Sequence, residues 1–173
     1  MSEAVLQELS AANIFLVLKS GEIVTPSLER GTILPGVTRD SVLELAKAYK
    51  DELKPILAKS VGVNSSDIEV KVSERDVKVA DLLEAVEVFI TGTAAEIVPV
   101  QSIATSPGQS ERADDSLSVT FPHGKTLPGG PVTNKLLEML REVMAEKRSC
   151  EVTKEWLCDV YESPEGFQKG GVS

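Results

Sequence analysis

Histidine occurs once in this chain of 173 residues, at His123, and cysteine twice, at Cys150 and Cys158. A histidine-rich metal centre or a histidine-based triad has little material to work with. The two cysteines lack redox-motif spacing and are too few for a disulfide framework, which points to a reducing compartment. Aromatic residues make up only 4%, and no apolar run comes near the roughly 20 residues that cross a bilayer. Basic side chains are the minority, 18 against 27 acidic ones, and the net charge of −9 opposes nucleic-acid binding through the overall field. The opening MSEAVLQELSAANIFLVLKSG has no basic region before an apolar stretch and no Arg/Ser-rich amphipathic segment, so no targeting peptide is legible. What remains is ordinary for a globular chain, with 42% hydrophobic and 26% charged residues and about one domain's length. Neither nucleic acid nor membrane is expected as a partner.

The chain mixes strand and helix periods. The apolar run Asn13–Leu18 is closed by Lys19-Ser20-Gly21-Glu22, which predicts a hairpin returning through Ile23-Val24-Thr25. From Thr38, a plausible N-cap, the spacing of Val42, Leu43, Ala46 and Tyr49 predicts an amphipathic helix. Helical spacing continues over 50–64 through Leu53, Ile56 and Leu57, where Pro55 is expected to kink or restart it. Ile68, Val70 and Val72 alternate as in a half-buried strand. A short helix over 79–85 follows, then strands at 86–90 and 97–100 flank the small-residue turn Thr91-Gly92-Thr93-Ala94-Ala95. Residues 104–118 read as a solvated loop, and Gly129-Gly130-Pro131 opens a last helix over 132–147. The tail beyond Glu162 reads as frayed, Trp156 as a packing residue and His123 as a loop residue. The expected class is α/β of a mixed, α+β kind, with strands too irregularly spaced for a doubly wound sheet.

Two segments invite chemistry. At Leu34-Pro35-Gly36-Val37-Thr38-Arg39 a helix begins, and free backbone amides at such a mouth stabilise an anion without any lysine. Gly36 is expected to let the backbone approach a ligand, and Thr38 adds a hydroxyl. Taken alone, the segment is read more simply as a capped helix after a proline turn. The second segment, Thr91–Ala95, can turn amides and two hydroxyls toward one ligand, although an ordinary tight connection is the plainer reading of it alone. Two donor clusters in one small chain suggest a ligand with more than one anionic group.

Glu8, Asn13-Ile14-Phe15, Thr25, Leu34, Gly36, Val37 and Arg39 resemble, in order and spacing, the signature of the class IV (fold-type IV) pyridoxal-phosphate aminotransferases. ILPGVTRDS and FITGTAAEIVPV look most like the branched-chain amino-acid aminotransferases. Residues 70–77 are similar to the strand between those motifs, and 130–133 to the start of the closing helix. The resemblance implies a cofactor-binding domain over 1–162, an irregular sheet or pseudo-barrel flanked by helices, with a flexible tail at 163–173. Segments 50–68 and 104–126 then read as a surface insertion and a loop. It implies pyridoxal 5′-phosphate as cofactor, an amino acid and a 2-oxo acid as small-molecule partners, and a homodimer. Glu8 matches the acid at the pyridine nitrogen, and Leu34 the residue against the ring. Gly36, Val37, Thr38 and Thr93 match the phosphate site, and Thr93 and Ala94 the place of the substrate carboxylate.

One departure accompanies this match. The family's Schiff-base lysine lies upstream of the acid matched by Glu8, and none of the residues from Met1 to Gln7 is lysine. The resemblance therefore places that lysine upstream of Met1 and leaves no catalytic residue to name within the chain. The expectation is a C-terminal portion lacking the lysine, with the parent polypeptide transferring the amino group of leucine, isoleucine or valine to 2-oxoglutarate. The alternatives are another class IV activity, such as a D-amino-acid aminotransferase or aminodeoxychorismate lyase, or a non-catalytic truncated partner. Cytoplasm, mitochondrion and plastid all stay open as locations.

Overall fold

A two-residue strand, Val5–Leu6 (β1), precedes the hairpin, in which Asn13–Leu18 (β2) pairs antiparallel with Glu22–Pro26 (β3). Every residue of β2 and β3 is buried, so alternate side chains must enter two different cores. A computed structural model of the chain describes residues 5–7, 12–104, 118–121, 129–149, 151 and 153–156. After β3 come two helices, Val37–Ala48 (α1) and Lys50–Val61 (α2), and then Lys71–Arg75 (β4), which lies parallel to β3. Val77–Lys78 (β5) pairs with β1, and Asp81–Glu84 (α3) leads directly into Ala85–Gly92 (β6). Glu96–Pro99 (β7) returns antiparallel to β6, Ser102–Ala104 (β8) pairs with Ser118–Thr120 (β9), and Pro131–Met144 forms α4.

The central sheet has the order β4-β3-β2-β6-β7. Its helix-facing side presents Phe15, Val17, Ile23 and Phe89 to Val42, Leu43, Leu53, Leu57, Leu136 and Met139 from α1, α2 and α4. Phe15 and Phe89 face each other in register across β2 and β6, their rings stacked at 5.0 Å. The other side presents Ile14, Leu16, Leu18, Val24 and Val88, with Phe121 in the same core and Leu6, Ile103 and Val119 of the small strands against it. The mixed α/β class is as expected.

Several local expectations are corrected. The cap of α1 is Gly36, not Thr38: Gly36 is extended and its carbonyl accepts the first helical bond, from the Asp40 amide at 3.0 Å. Thr38 thus lies inside the first turn. Pro55 neither stops nor restarts α2, which is continuous; the break falls at Tyr49, where the chain leaves helical geometry between α1 and α2. The helix ends at Val61, with Gly62 as its left-handed cap. Segment 50–68 does not lie on the surface alone, since Leu53, Leu57, Ala58 and Ile68 all enter the core. The expected loop over 104–126 is interrupted by β9 and the buried Phe121, because cross-strand pairing with β8 supplies what local periodicity lacks. Ile68 and Val70 are buried but precede β4, and α4 ends at Met144, short of Lys147. Met1, with the expectation of a Schiff-base lysine upstream of it, lies outside the described residues, as do Glu8, His123, Cys150, Cys158 and the tail.

Candidate functional site

The first turn of α1 opens without a side-chain cap. The Val37, Thr38 and Arg39 amides precede the first helical hydrogen bond, so they carry the helix's partial positive charge unpaired by the helix itself. Facing them are the end of β6 and the turn after it. A cleft of about 130 Å³ is lined by Leu34, Gly36, Val37 and Thr38 on one side and by Thr91, Gly92 and Thr93 on the other. The two donor clusters singled out in the sequence therefore meet in one place. A larger hollow of about 510 Å³ shares Gly36, Val37, Thr38 and Thr93 and continues over Leu140, Val143, Met144 and Trp156. Trp156 also packs against the helix-side core, as expected of it.

Leu34 and Val37 are 71% and 78% exposed, an unusual amount of open apolar surface beside so polar a mouth. Ala94 is exposed on the adjoining turn but does not line the cleft. The one cation among the residues lining the smaller cleft, Arg39, is 1% exposed. Its guanidinium donates to the Pro26 carbonyl at 3.0 Å and the Glu74 carboxylate at 2.7 Å. An anion here would accordingly be met by backbone amides and hydroxyls. Acidic Asp40, Glu44 and Glu96 border the larger hollow, and Arg141 holds Glu96 at 2.7 Å.

Two contributors had no site role assigned by the resemblance, although Thr91 belongs to the second donor segment read in the sequence. Thr91 is 1% exposed, and its hydroxyl finds no hydrogen-bond partner among the described residues. A buried polar group left unpaired costs about 1–3 kcal/mol, so this wall has spare donor capacity. Asn13, at the start of β2, donates from Nδ2 to the Leu34 carbonyl at 2.9 Å. A Cβ added at Gly36 would overlap Asn13 Oδ1. The close approach at Gly36 is thus made by Asn13, where the sequence suggested a ligand. The available signal was a polar residue on the inward parity of an otherwise apolar strand, for Asn13 and Thr91 alike.

Uncapped amides, a spare buried hydroxyl and side-chain-free Gly92 together fit a phosphate-bearing group. No cluster of three or more His, Cys, Asp or Glu able to hold a metal ion occurs among the described residues, nor is any of their helices long and apolar enough to cross a membrane.

Comparison with known proteins finds similar chains among the aminotransferases. Arabidopsis thaliana branched-chain-amino-acid aminotransferase 1, mitochondrial, is 37% identical over 158 residues, covering 90% of this chain and 31% of that protein. The branched-chain amino acid aminotransferase of Thermobaculum terrenum, solved in its PLP-form, superposes with a TM-score of 0.52 at 26% identity, over 84% of this chain and 36% of that one. The branched-chain aminotransferase of Thermoproteus uzoniensis, solved with norvaline, gives a TM-score of 0.58 at 29% identity, over 92% and 40% of the two chains. The chain thus spans roughly a third of the length of these relatives. The family model for amino-transferase class IV matches residues 2–103, and to that family the chain belongs.

Proposed function

We propose that this chain is the coenzyme-holding portion of a branched-chain amino-acid aminotransferase, which moves the amino group of leucine, isoleucine or valine to 2-oxoglutarate using pyridoxal 5′-phosphate. The observation that carries the reading is the convergence of the uncapped α1 mouth and the Thr93 turn on one cleft. When bound, the coenzyme supplies an electron sink for charge developing at the substrate α-carbon.

The chain's own residues do the holding. The Val37 and Thr38 amides and the Thr38 and Thr93 hydroxyls donate to the phosphate, with Gly36 forming the floor between them. Leu34 offers an exposed apolar face to the ring. Glu8 keeps the ring nitrogen protonated, since a carboxylate beside it favours the charged form. The Thr93 and Ala94 amides receive the substrate carboxylate. The larger hollow, with Leu140, Val143, Met144 and Trp156 on its apolar side and Asp40, Glu44 and Glu96 at its border, opens beside the phosphate side. In the whole enzyme two copies associate as a homodimer.

Titration with pyridoxal 5′-phosphate, followed by phosphorus NMR and by amide shifts in a nitrogen-15-labelled sample, tests the reading. Saturable binding with shifts at residues 36–38 and 93 is expected. Saturable binding that moves other amides, or no binding at all, overturns it.

A further inference from the structure

We infer that Asn13 is a positioning residue that sets the gap between the two walls of the coenzyme cleft, and that Gly36 lacks a side chain in order to admit it. The inference rests on the reading of that cleft as the phosphate site, and it names what holds the site in shape.

Asn13 is 6% exposed and shares the helix-facing parity of Phe15 and Val17. A polar side chain in that row is destabilising unless it is hydrogen-bonded. Its Nδ2 is bonded, to the Leu34 carbonyl at 2.9 Å across 21 positions of sequence. The stretch from Thr32 to Gly36 belongs to no regular helix or strand. The direction of the first α1 amides therefore depends on what grips this stretch from outside. Arg39 fixes the helix behind the mouth, through Pro26 and Glu74. Asn13 fixes the mouth itself, and its Oδ1 lies where a Cβ of residue 36 would stand.

Asn13 also belongs to the opposite wall. Its backbone pairs in register with Thr91 on β6, two residues before Thr93. One residue therefore joins the stretch that leads into the Val37 and Thr38 amides to the strand that leads into the Thr93 turn. Anion binding by separate amides and hydroxyls is steeply sensitive to such spacing, because each donor must reach its oxygen at hydrogen-bond distance.

The test exchanges volume between the two positions, using Asn13→Ala, Asn13→Asp, Gly36→Ala and the Asn13→Ala/Gly36→Ala double variant. Binding of pyridoxal 5′-phosphate and of inorganic phosphate is measured, together with amide hydrogen exchange at residues 34–38 and, as a fold control, at residues 86–90. Gly36→Ala and Asn13→Ala should each weaken binding about tenfold, the effect of roughly one hydrogen bond. Both should speed exchange at 34–38 while leaving 86–90 protected. The double variant should bind no worse than Asn13→Ala alone, because the overlap is gone. Asn13→Asp keeps the shape but loses the donor, and should exchange like Asn13→Ala. Penalties that simply add in the double variant, or an Asn13→Asp loop that exchanges like the native one, overturn the inference. If the native chain binds neither probe, the coenzyme reading fails by itself, and the exchange data still decide whether Asn13 holds the loop.

Discussion

Glu87 is an acidic residue in the middle of a buried strand, 2% exposed, and replacing it probes how the last helix is anchored. Its carboxylate accepts from the Val132 amide at 3.0 Å, the Thr133 amide at 2.9 Å, the Thr133 hydroxyl at 2.7 Å and the Ser60 hydroxyl at 3.0 Å. Gly130, the N-cap of α4, provides no side-chain cap, so the sheet caps the helix from 45 residues away. A Cβ at Gly130 would overlap the Glu87 carboxyl, which is why the approach is possible at all. Glu87→Ala strands two buried amides at about 1–3 kcal/mol each and leaves a small cavity, for a total of about 4 kcal/mol. That is a large part of the 5–15 kcal/mol by which domains are typically stable, on the order of a third or more. Urea unfolding should show a lower midpoint at unchanged slope, with early exchange of the Val132 and Thr133 amides. Gly130→Ala should destabilise the native chain but cost little once Glu87 is alanine. A Glu87→Ala loss below about 1 kcal/mol would refute the argument, since two unpaired buried amides alone should exceed it.

Three further outcomes are expected. The Arg75 hydrogen bond holds Glu22 below its ordinary value of 4.5. For Asp81, burial pushes upward, but Arg75 and the Lys78 amide bring it below its ordinary 3.8. Both folded values are depressed, so the stability they contribute is present above the ordinary values and is lost as pH falls through the folded ones. Urea midpoints should therefore drop below about pH 4.5, and more steeply in the native chain than in Arg75→Met. Phe15→Ala removes a fully buried ring stacked on Phe89 and should cost about 3–5 kcal/mol by urea titration. Thr93→Ala, at an exposed turn, should leave the melting temperature unchanged while weakening pyridoxal 5′-phosphate binding about fivefold, read by fluorescence titration.

The elements built on short-range pattern were legible in the amino acids. The hairpin of Asn13–Leu18 with Glu22–Pro26, the amphipathic faces of α1 and α4 and the small-residue turn expected over Thr91–Ala95, of which Thr91 and Gly92 stay in β6, each rest on periodicity or turn chemistry confined to about a dozen residues. So does the donor-rich character of Gly36–Thr38 and of the Thr93 turn. Sequence order, however, does not say that these two segments, more than fifty positions apart, face one cleft; the pairing of β2 with β6 and the seating of α1 across them bring that about. The same long-range packing makes α2 a core helix despite Pro55, pairs the short β8 with β9, and turns Glu87 into a helix cap. It also gives Gly36 its purpose, which is room for Asn13. Propensity and period act between near neighbours along the chain, whereas caps, clashes and cleft walls depend on atoms that approach only after the sheet has closed.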